Sequence, residues 1–424
     1  MTIPKIAVYL VMHNTVQLIN RKYHSVLAHH LQDFAQMIFL TGPRQSGKTT
    51  LARHMASSHR SIYLNWDITT DREKILSPPA KLIQDLRLDV ASIHTPLIIL
   101  DEIHKYTQWK SYLKGLYDYL KWHQKIAILV TGSARLDVYK KGGDSLMGRY
   151  FPYRIHPLSV SEVNTSNRKI HINHLLQDPM DPSHDVYDTL WRFGGFPEPF
   201  LRQNQRFHTR WNNLRTQQLF REDIRETNDI KSINQLEVLA YTLQQQTGQL
   251  VNYTSLSRKI RVSDKTIQRW ISVLEAFFFC FRIAPWSRNI PRSLLKEPKI
   301  YLWDWSMIHD AGNKFENFIA SHLHKACHFW TDAGMGQYEL FFLRTKEGKE
   351  VDFLITQNNV PWMLVEAKLS DCKAVSKSLA YFHRTLATQY AFQVIHHSPY
   401  IDQSCFTYTT PTIVSAKTFL SQLV

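Results

Sequence analysis

The apolar positions in the first third of the chain fall into short runs separated by longer polar stretches. The runs are Met37-Ile38-Phe39-Leu40, Ile62-Tyr63-Leu64, Leu97-Ile98-Ile99-Leu100 and Ile126-Ala127-Ile128-Leu129-Val130. The four apolar residues Leu97–Leu100 predict a strand buried on both faces, and the other runs read as further strands of the same sheet. Between the last two runs, Trp109, Leu113, Leu116, Tyr117 and Leu120 recur at helical spacing. That stripe predicts an amphipathic helix facing a core. Strand and helix alternate, so this region predicts an α/β fold with a doubly wound parallel sheet.

The pattern changes further along. Residues 155–230 read as mostly helical, with breaks at Pro179, Pro182 and the Gly194-Gly195-Phe196-Pro197 turn. From 250 to 285 a short helix carrying Leu256 and Ile260 meets a turn at Val262-Ser263. A second helix follows, with Ile267, Trp270, Ile271, Leu274 and Phe278 on its buried side. Thr254 is a candidate cap for the first helix, and Ser263 or Asp264 for the second. This spacing predicts a helix-turn-helix, and Ala276–Ile283 reads as the first strand of a wing. Residues 315–323 then form an amphipathic helix. Strands are expected near 338–344, 350–356 and 362–368, a helix near 373–386 and a strand near 389–396.

A chain of 424 residues is too long for one core. The pattern divides it into an N-terminal extension at 1–30, an α/β core at 31–160 and a helical connector at 161–230. A winged helix at 231–304 and a final α/β domain at 305–424 complete the expectation. The short run Ile6–Met12 is expected to be a structural or dispensable extension, since no small-residue cleavage site follows it. No stretch reaches the length of a membrane span, so no membrane partner is expected. Cys280, Cys327, Cys372 and Cys405 are scattered, which argues against a zinc site or disulfide framework and fits a reducing cytoplasm.

Charge adds a partner class. Lys and Arg number 51 against 36 Asp and Glu, a net charge of +15. Between 251 and 300 there are ten Lys/Arg and three Asp/Glu. A basic helix-turn-helix with Lys265, Gln268 and Arg269 at the start of its second helix is an electrostatic match for duplex DNA.

The clearest chemistry follows the first apolar run. Gly42-Pro43-Arg44-Gln45-Ser46-Gly47-Lys48-Thr49 is a Gly-x4-Gly-Lys-Thr loop (Walker A) between a strand and a helix that continues from Thr50. Glycines let the loop wrap phosphates with its N–H groups, Lys48 reaches the β- and γ-phosphates, and the Thr49 hydroxyl ligates Mg²⁺. The helix N-terminus favours the anion. The third run ends in Asp101-Glu102 (Walker B), placing two carboxylates at the exit of a buried strand. Asp101 would hold the metal, directly or through water, and Glu102 would take a proton from the attacking water. ATP and Mg²⁺ are the cofactors expected.

Jointly these segments resemble prokaryotic AAA+-superfamily ATPases that carry a C-terminal domain of poorly defined function. The resemblance rests on Gly42–Thr49, Asp101–Lys105 with Trp109-Lys110, Thr131–Asp137, Gly142–Tyr150, Gly194–Glu198 and Phe315–Asn317. It covers nearly everything after residue 20 and implies an ATPase without naming its substrate. It implies a γ-phosphate sensor at the tip of the fourth strand, with Ser133 first and Thr131 second. An arginine against the γ-phosphate, from the same chain or from a neighbour in a homo-oligomer, would stabilise developing charge. Arg149 is the preferred candidate, ahead of Arg135. Asp101-Glu102-Ile103-His104 also matches the Asp-Glu-x-His of helicases, but no second RecA-like lobe follows. A phosphoryl-transfer kinase lacks an identifiable acceptor site.

The order helix, three-stranded meander, helix, strand after residue 305 resembles the PD-(D/E)xK nuclease core. Asp352, Glu366 and Lys368, with Glu316 on the preceding helix, complete that pattern. Glu366 and Lys368 are two apart on a strand and share a face. Two carboxylates on adjacent strands can chelate Mg²⁺, with Lys368 orienting a water. His322 and His324 read as helix surface. The expectation is an ATPase whose nucleotide cycle controls a DNA-binding or nuclease-like output. The alternative is a nucleotide-controlled switch with a catalytically inactive nuclease-like domain.

Overall fold

The structure, a computed structural model, describes residues 19–86, 95–123, 126–132, 146–164, 174–225, 230, 232–287, 297–370 and 372–424. Two compact units divide the chain, Met1–His156 and Pro157–Val424.

The first unit holds a five-stranded parallel sheet. Its strands are β1 (Met37–Thr41), β2 (Ser61–Asn65), β3 (Leu97–Asp101), β4 (Ala127–Thr131) and β5 (Tyr150–Arg154), in the order β2-β3-β4-β1-β5. Every pairing is parallel. All five residues of β3 are buried, which explains its unbroken apolar run. The helix Trp109–His123 packs Trp109, Leu113, Leu116, Tyr117 and Leu120 into one cluster with Phe39, Ile98, Leu100 and Val130. Parallel strands with covering helices give the P-loop α/β architecture predicted. β4 lies between β1 and β3, so its carboxyl end places Thr131 beside the phosphate loop and the acidic pair.

The helix Tyr23–Asp33 belongs to this unit, although its first residues fall in the expected N-terminal extension. It buries Tyr23, Val26, Leu27, His30 and Leu31. The His30 ring bonds the Tyr153 hydroxyl of β5 at 2.7 Å and the Gln36 carbonyl at 2.8 Å.

The second unit opens with the helices Val160–Asn164, His184–Phe193, Pro197–Arg202 and Gln205–Gln218, the last running into a π-helical turn at Leu219–Ile224. The helix Ile233–Gln245 precedes the helix-turn-helix pair, Tyr253–Ile260 and Asp264–Ala276. Arg261, in the left-handed region at φ 63°, makes the turn between the pair. Asn252, rather than Thr254, caps the first helix by accepting from the Ser255 N–H. The Thr254 hydroxyl instead donates to Asp264 at 2.8 Å. Ser263 caps the second helix.

Strands β6 (Cys280–Pro285) and β7 (Lys299–Leu302) form an antiparallel pair after these helices. They continue into a seven-stranded sheet with β8 (Tyr338–Arg344), β9 (Glu350–Gln357), β10 (Val360–Lys368), β11 (Tyr390–Ile395) and β12 (Thr412–Ser415). The order is β12-β11-β10-β9-β8-β6-β7. The expected boundary near 304 therefore runs through one sheet, because β6 hydrogen-bonds β8 in parallel. The long helix Ala311–Asp332 packs along this sheet. His322 is buried in that helix rather than on its surface. Its Nε2 accepts from the Val160 N–H at 3.1 Å, and burial lowers the ring to about 3, so it is neutral.

Candidate functional site

The phosphate loop joins β1 to the helix Lys48–Ser57. Gln45 and Gly47 stand in the left-handed region at φ 63° and 94°. Successive N–H groups in such turns converge into an anion-binding concavity. Gly42, at φ 142°, is fixed by space as well: a Cβ there would lie 2.2 Å from the Ile155 carbonyl oxygen.

Lys48 is buried, and its Nζ donates to the carbonyls of Gly42 and Pro43 at 2.9 and 2.7 Å. Burial lowers its ammonium to about 8, against opposition from Glu102 and Asp101. Arg21 braces the loop from outside the motif. Its guanidinium donates to the Ser46 carbonyl at 2.6 Å and to the His156 carbonyl at 2.5 Å. Nothing in the motif foretold Arg21; its burial is visible only in three dimensions.

Asp101 ends β3 as a buried carboxylate. It accepts from Thr49 Oγ1 at 3.1 Å, and from the hydroxyls of Tyr63 and Thr131. A hydroxyl and a carboxylate at this separation fit Mg²⁺, whose ligands on adjacent octahedral corners stand about 3 Å apart. Both donors are hard oxygens, so Thr49 and Asp101 are the residues that would hold the ion.

Glu102 sits in the left-handed region at φ 57°, an uncommon conformation for a residue with a side chain. Its carboxylate lies 3.5 Å from Lys105 Nζ and 3.7 Å from His104 Nε2. Burial raises its pKa above the ordinary carboxylate value. His104 is buried and lowered to about 4, hence neutral beside it. Lys105 also pairs with Asp67 at 2.7 Å, so Asp67, at the exit of β2, anchors the Lys105 side chain.

The remaining candidates divide. Thr131 is at the tip of β4, bonded to Asp101. Ser133 and Arg135 lie outside the described residues. Arg149 is displaced from its own loop. Its carbonyl accepts from the Met37 N–H at the start of β1, whereas the loop follows the end of β1 at Thr41. Four strand steps separate those ends, about 13 Å. Its guanidinium makes a two-pronged pair with Asp118, both bonds 3.0 Å. Arg149 therefore cannot face the phosphates of its own chain.

In the second unit the acidic constellation does converge. The antiparallel register pairs Val365 with Phe353, so the next position sets Glu366 against Asp352. Asp352 Oδ2 accepts from the Ala367 N–H at 2.9 Å. Burial, then the charge of Glu316, raises Asp352 to about 7. Lys368 Nζ lies 2.8 Å from Glu366, which also accepts from the Ser376 hydroxyl. The sequence pattern missed Lys299 on β7. This buried lysine reaches Glu316 at 3.2 Å and Glu350 at 2.7 Å. Tyr301 donates to Glu316 at 2.7 Å.

The basic helix start is open: Lys265, Gln268 and Arg269 are exposed, as are Arg258, Lys259 and Arg261 on the preceding helix and turn. No helix among the described residues is long and apolar enough to cross a membrane. All four cysteines are free.

Comparison with known proteins locates these features. Residues 35–164 match a family described as an AAA domain. Residues 184–317 and 311–402 match two domains of unknown function, DUF8612 and DUF4143. The uncharacterized protein Rv2008c of Mycobacterium tuberculosis is 23% identical over 360 residues, covering 81% of this chain and 73% of its own. The uncharacterized protein MJ1544 of Methanocaldococcus jannaschii is 21% identical over 355 residues, covering 80% and 76%. Among solved structures, the Walker-type ATPase PABY2304 of Pyrococcus abyssi is 12% identical with a TM-score of 0.43, covering 68% of this chain and 95% of its own. The Aeropyrum pernix Orc1 protein, solved in complex with DNA, is 15% identical with a TM-score of 0.29, covering 71% and 93%. Residues 35–164 thus match an AAA domain and carry a P-loop on a parallel α/β sheet, and the chain continues into segments that match two domains of unknown function.

Proposed function

We propose that the chain is a Mg²⁺-dependent ATPase whose nucleotide cycle controls a DNA-contacting output in the second unit. The observation that carries the catalytic half is one constellation at the carboxyl ends of β1, β3 and β4. There Thr49 and Thr131 donate to Asp101, the Glu102 N–H donates to the Thr131 carbonyl, and the charges of Glu102 and Asp101 act on the buried Lys48.

The residues divide the work. The loop N–H groups and Lys48 bind the phosphates, and Lys48 exchanges its carbonyl partners for phosphate oxygens. Thr49 and Asp101 hold Mg²⁺, which when bound neutralises charge on the phosphoryl oxygens. Glu102 accepts a proton from the attacking water. Thr131 fixes the Asp101 carboxylate, and Ser133, next beyond Gly132, is the proposed γ-phosphate sensor. Arg149 acts, if it touches phosphate, at the site of a neighbouring copy in a homo-oligomer, since its own is out of reach.

The output reading rests on the exposed basic start of the helix Asp264–Ala276, read together with β6 and β7 as a winged helix. Lys48→Ala should abolish binding of a fluorescent ATP analogue. Lys265→Ala with Arg269→Ala should weaken binding to a labelled duplex and reduce its salt slope by about 1 per lost phosphate contact. Undiminished nucleotide binding in the first variant removes the catalytic half. Unchanged duplex affinity and slope in the second remove the DNA half.

A further inference from the structure

Nuclease centres of the kind that Glu316, Asp352, Glu366 and Lys368 resemble need carboxylates free to take a divalent cation. Here Glu316 and Glu366 already pair with lysines. Lys299 is buried, and its ammonium stands 2.7 Å from Glu350 and 3.2 Å from Glu316. The same Glu316 oxygen also accepts from Tyr301. Glu350 also pairs with Arg344 at 3.4 Å. Glu366 is held by Lys368 and Ser376, and Asp352 by the Ala367 N–H. Four carboxylates thus face three basic side chains, and the charge is nearly balanced without a metal. Backbone closes the Glu316 side: a Cβ on Gly248 would lie 3.2 Å from Glu316 Oε1.

Lys299 is placed by structure that a metal site does not require. It sits on β7, whose partner β6 follows the helix-turn-helix and joins β8 of the C-terminal sheet. Leu250 bridges to Lys299 itself. The strand that belongs to the basic module therefore inserts the cation into the acidic one.

We infer that Lys299 is the resident counter-ion of this constellation, that it takes the place of a divalent metal, and that the constellation therefore does not support metal-dependent phosphodiester cleavage. This deepens the output half of the proposed function and is independent of the ATPase half. The residues present do not fit a nuclease metal while Lys299 is charged and seated between Glu316 and Glu350.

The test is Mn²⁺ binding, followed by electron paramagnetic resonance on the full chain without nucleotide. Thr49→Ala serves as background so that the phosphate-loop ligand does not contribute. The background protein should bind no stoichiometric Mn²⁺ in the micromolar range. Adding Lys299→Met, of similar length and uncharged, should create one Mn²⁺ site that disappears again with Asp352→Asn. One equivalent bound in the Lys299-containing protein and lost with Asp352→Asn would overturn the inference, and that result needs no Lys299 variant to fold. Absence of binding in a folded Lys299→Met protein overturns it too, because something else then excludes the ion. ATP turnover is measured separately with Thr49 intact. Failure there refutes the ATPase reading and leaves the Mn²⁺ result standing.

Discussion

Lys48 and Glu102 titrate in opposite senses around their tasks. Burial holds the Lys48 ammonium at about 8 in the free protein. Its proton is lost as pH rises through that value, so kcat/KM for ATP should fall above about pH 8. Bound phosphate would favour the ammonium, so kcat should fall at higher pH than kcat/KM. On the acid side, burial raises Glu102, so the carboxylate that accepts a proton is lost above the ordinary carboxylate range. Stability runs the other way for Lys48. Its folded value lies below the ordinary 10.5, so the unfolded chain binds more protons between these two pH values. The stability contribution of Lys48 therefore rises with pH across that window while ATP capture declines. A kcat/KM profile flat from pH 7 to 10 would contradict this account of Lys48.

Elements are set by residues that sequence pattern reads unevenly. The strands β1, β3 and β4 were legible because burial on both faces forces unbroken apolar runs. The three-stranded meander β8–β10 was legible from the turn residues between its strands, Glu347-Gly348 and Gln357-Asn358-Asn359. Pairings between distant segments were not, since no local pattern records them. The join of β6 to β8 and the placing of β4 between β1 and β3 are of that kind. Phe315-Glu316-Asn317 shows the limit well. Phe315 is core and Glu316 joins the acidic constellation, whereas Asn317 is a structural clasp. Fully buried, it accepts from the Leu302 N–H at 2.7 Å and donates to the Leu302 carbonyl at 2.9 Å. Asn317→Ala strands both groups of β7 and should destabilise the unit by about 2–5 kcal/mol. Urea unfolding measures this, and a loss below about 1 kcal/mol would assign the clasp elsewhere.

At the scale of the whole molecule, two charge-bearing clusters lie in separate compact units. The phosphate loop was fully legible, because Gly-x4-Gly-Lys-Thr and Asp-Glu are local signals with a physical mechanism. Arg21 was not, because it reaches the loop from a segment without a motif. Nor was Lys299, because its carboxylate partners come from another stretch of chain. Arg149 was legible as a charge but not as a position. The strand order puts it at the wrong end of β1 for its own site, paired with Asp118. In the proposed function, Glu102 converts a nucleotide-binding fold into a hydrolysing one. Its most direct test follows phosphate release from Mg²⁺-ATP and, in parallel, binding of a labelled ATP analogue, in the native chain and in Glu102→Gln. The account predicts binding within a few-fold of native and turnover lower by about 10²–10⁴. Equal turnover in the two proteins would contradict it.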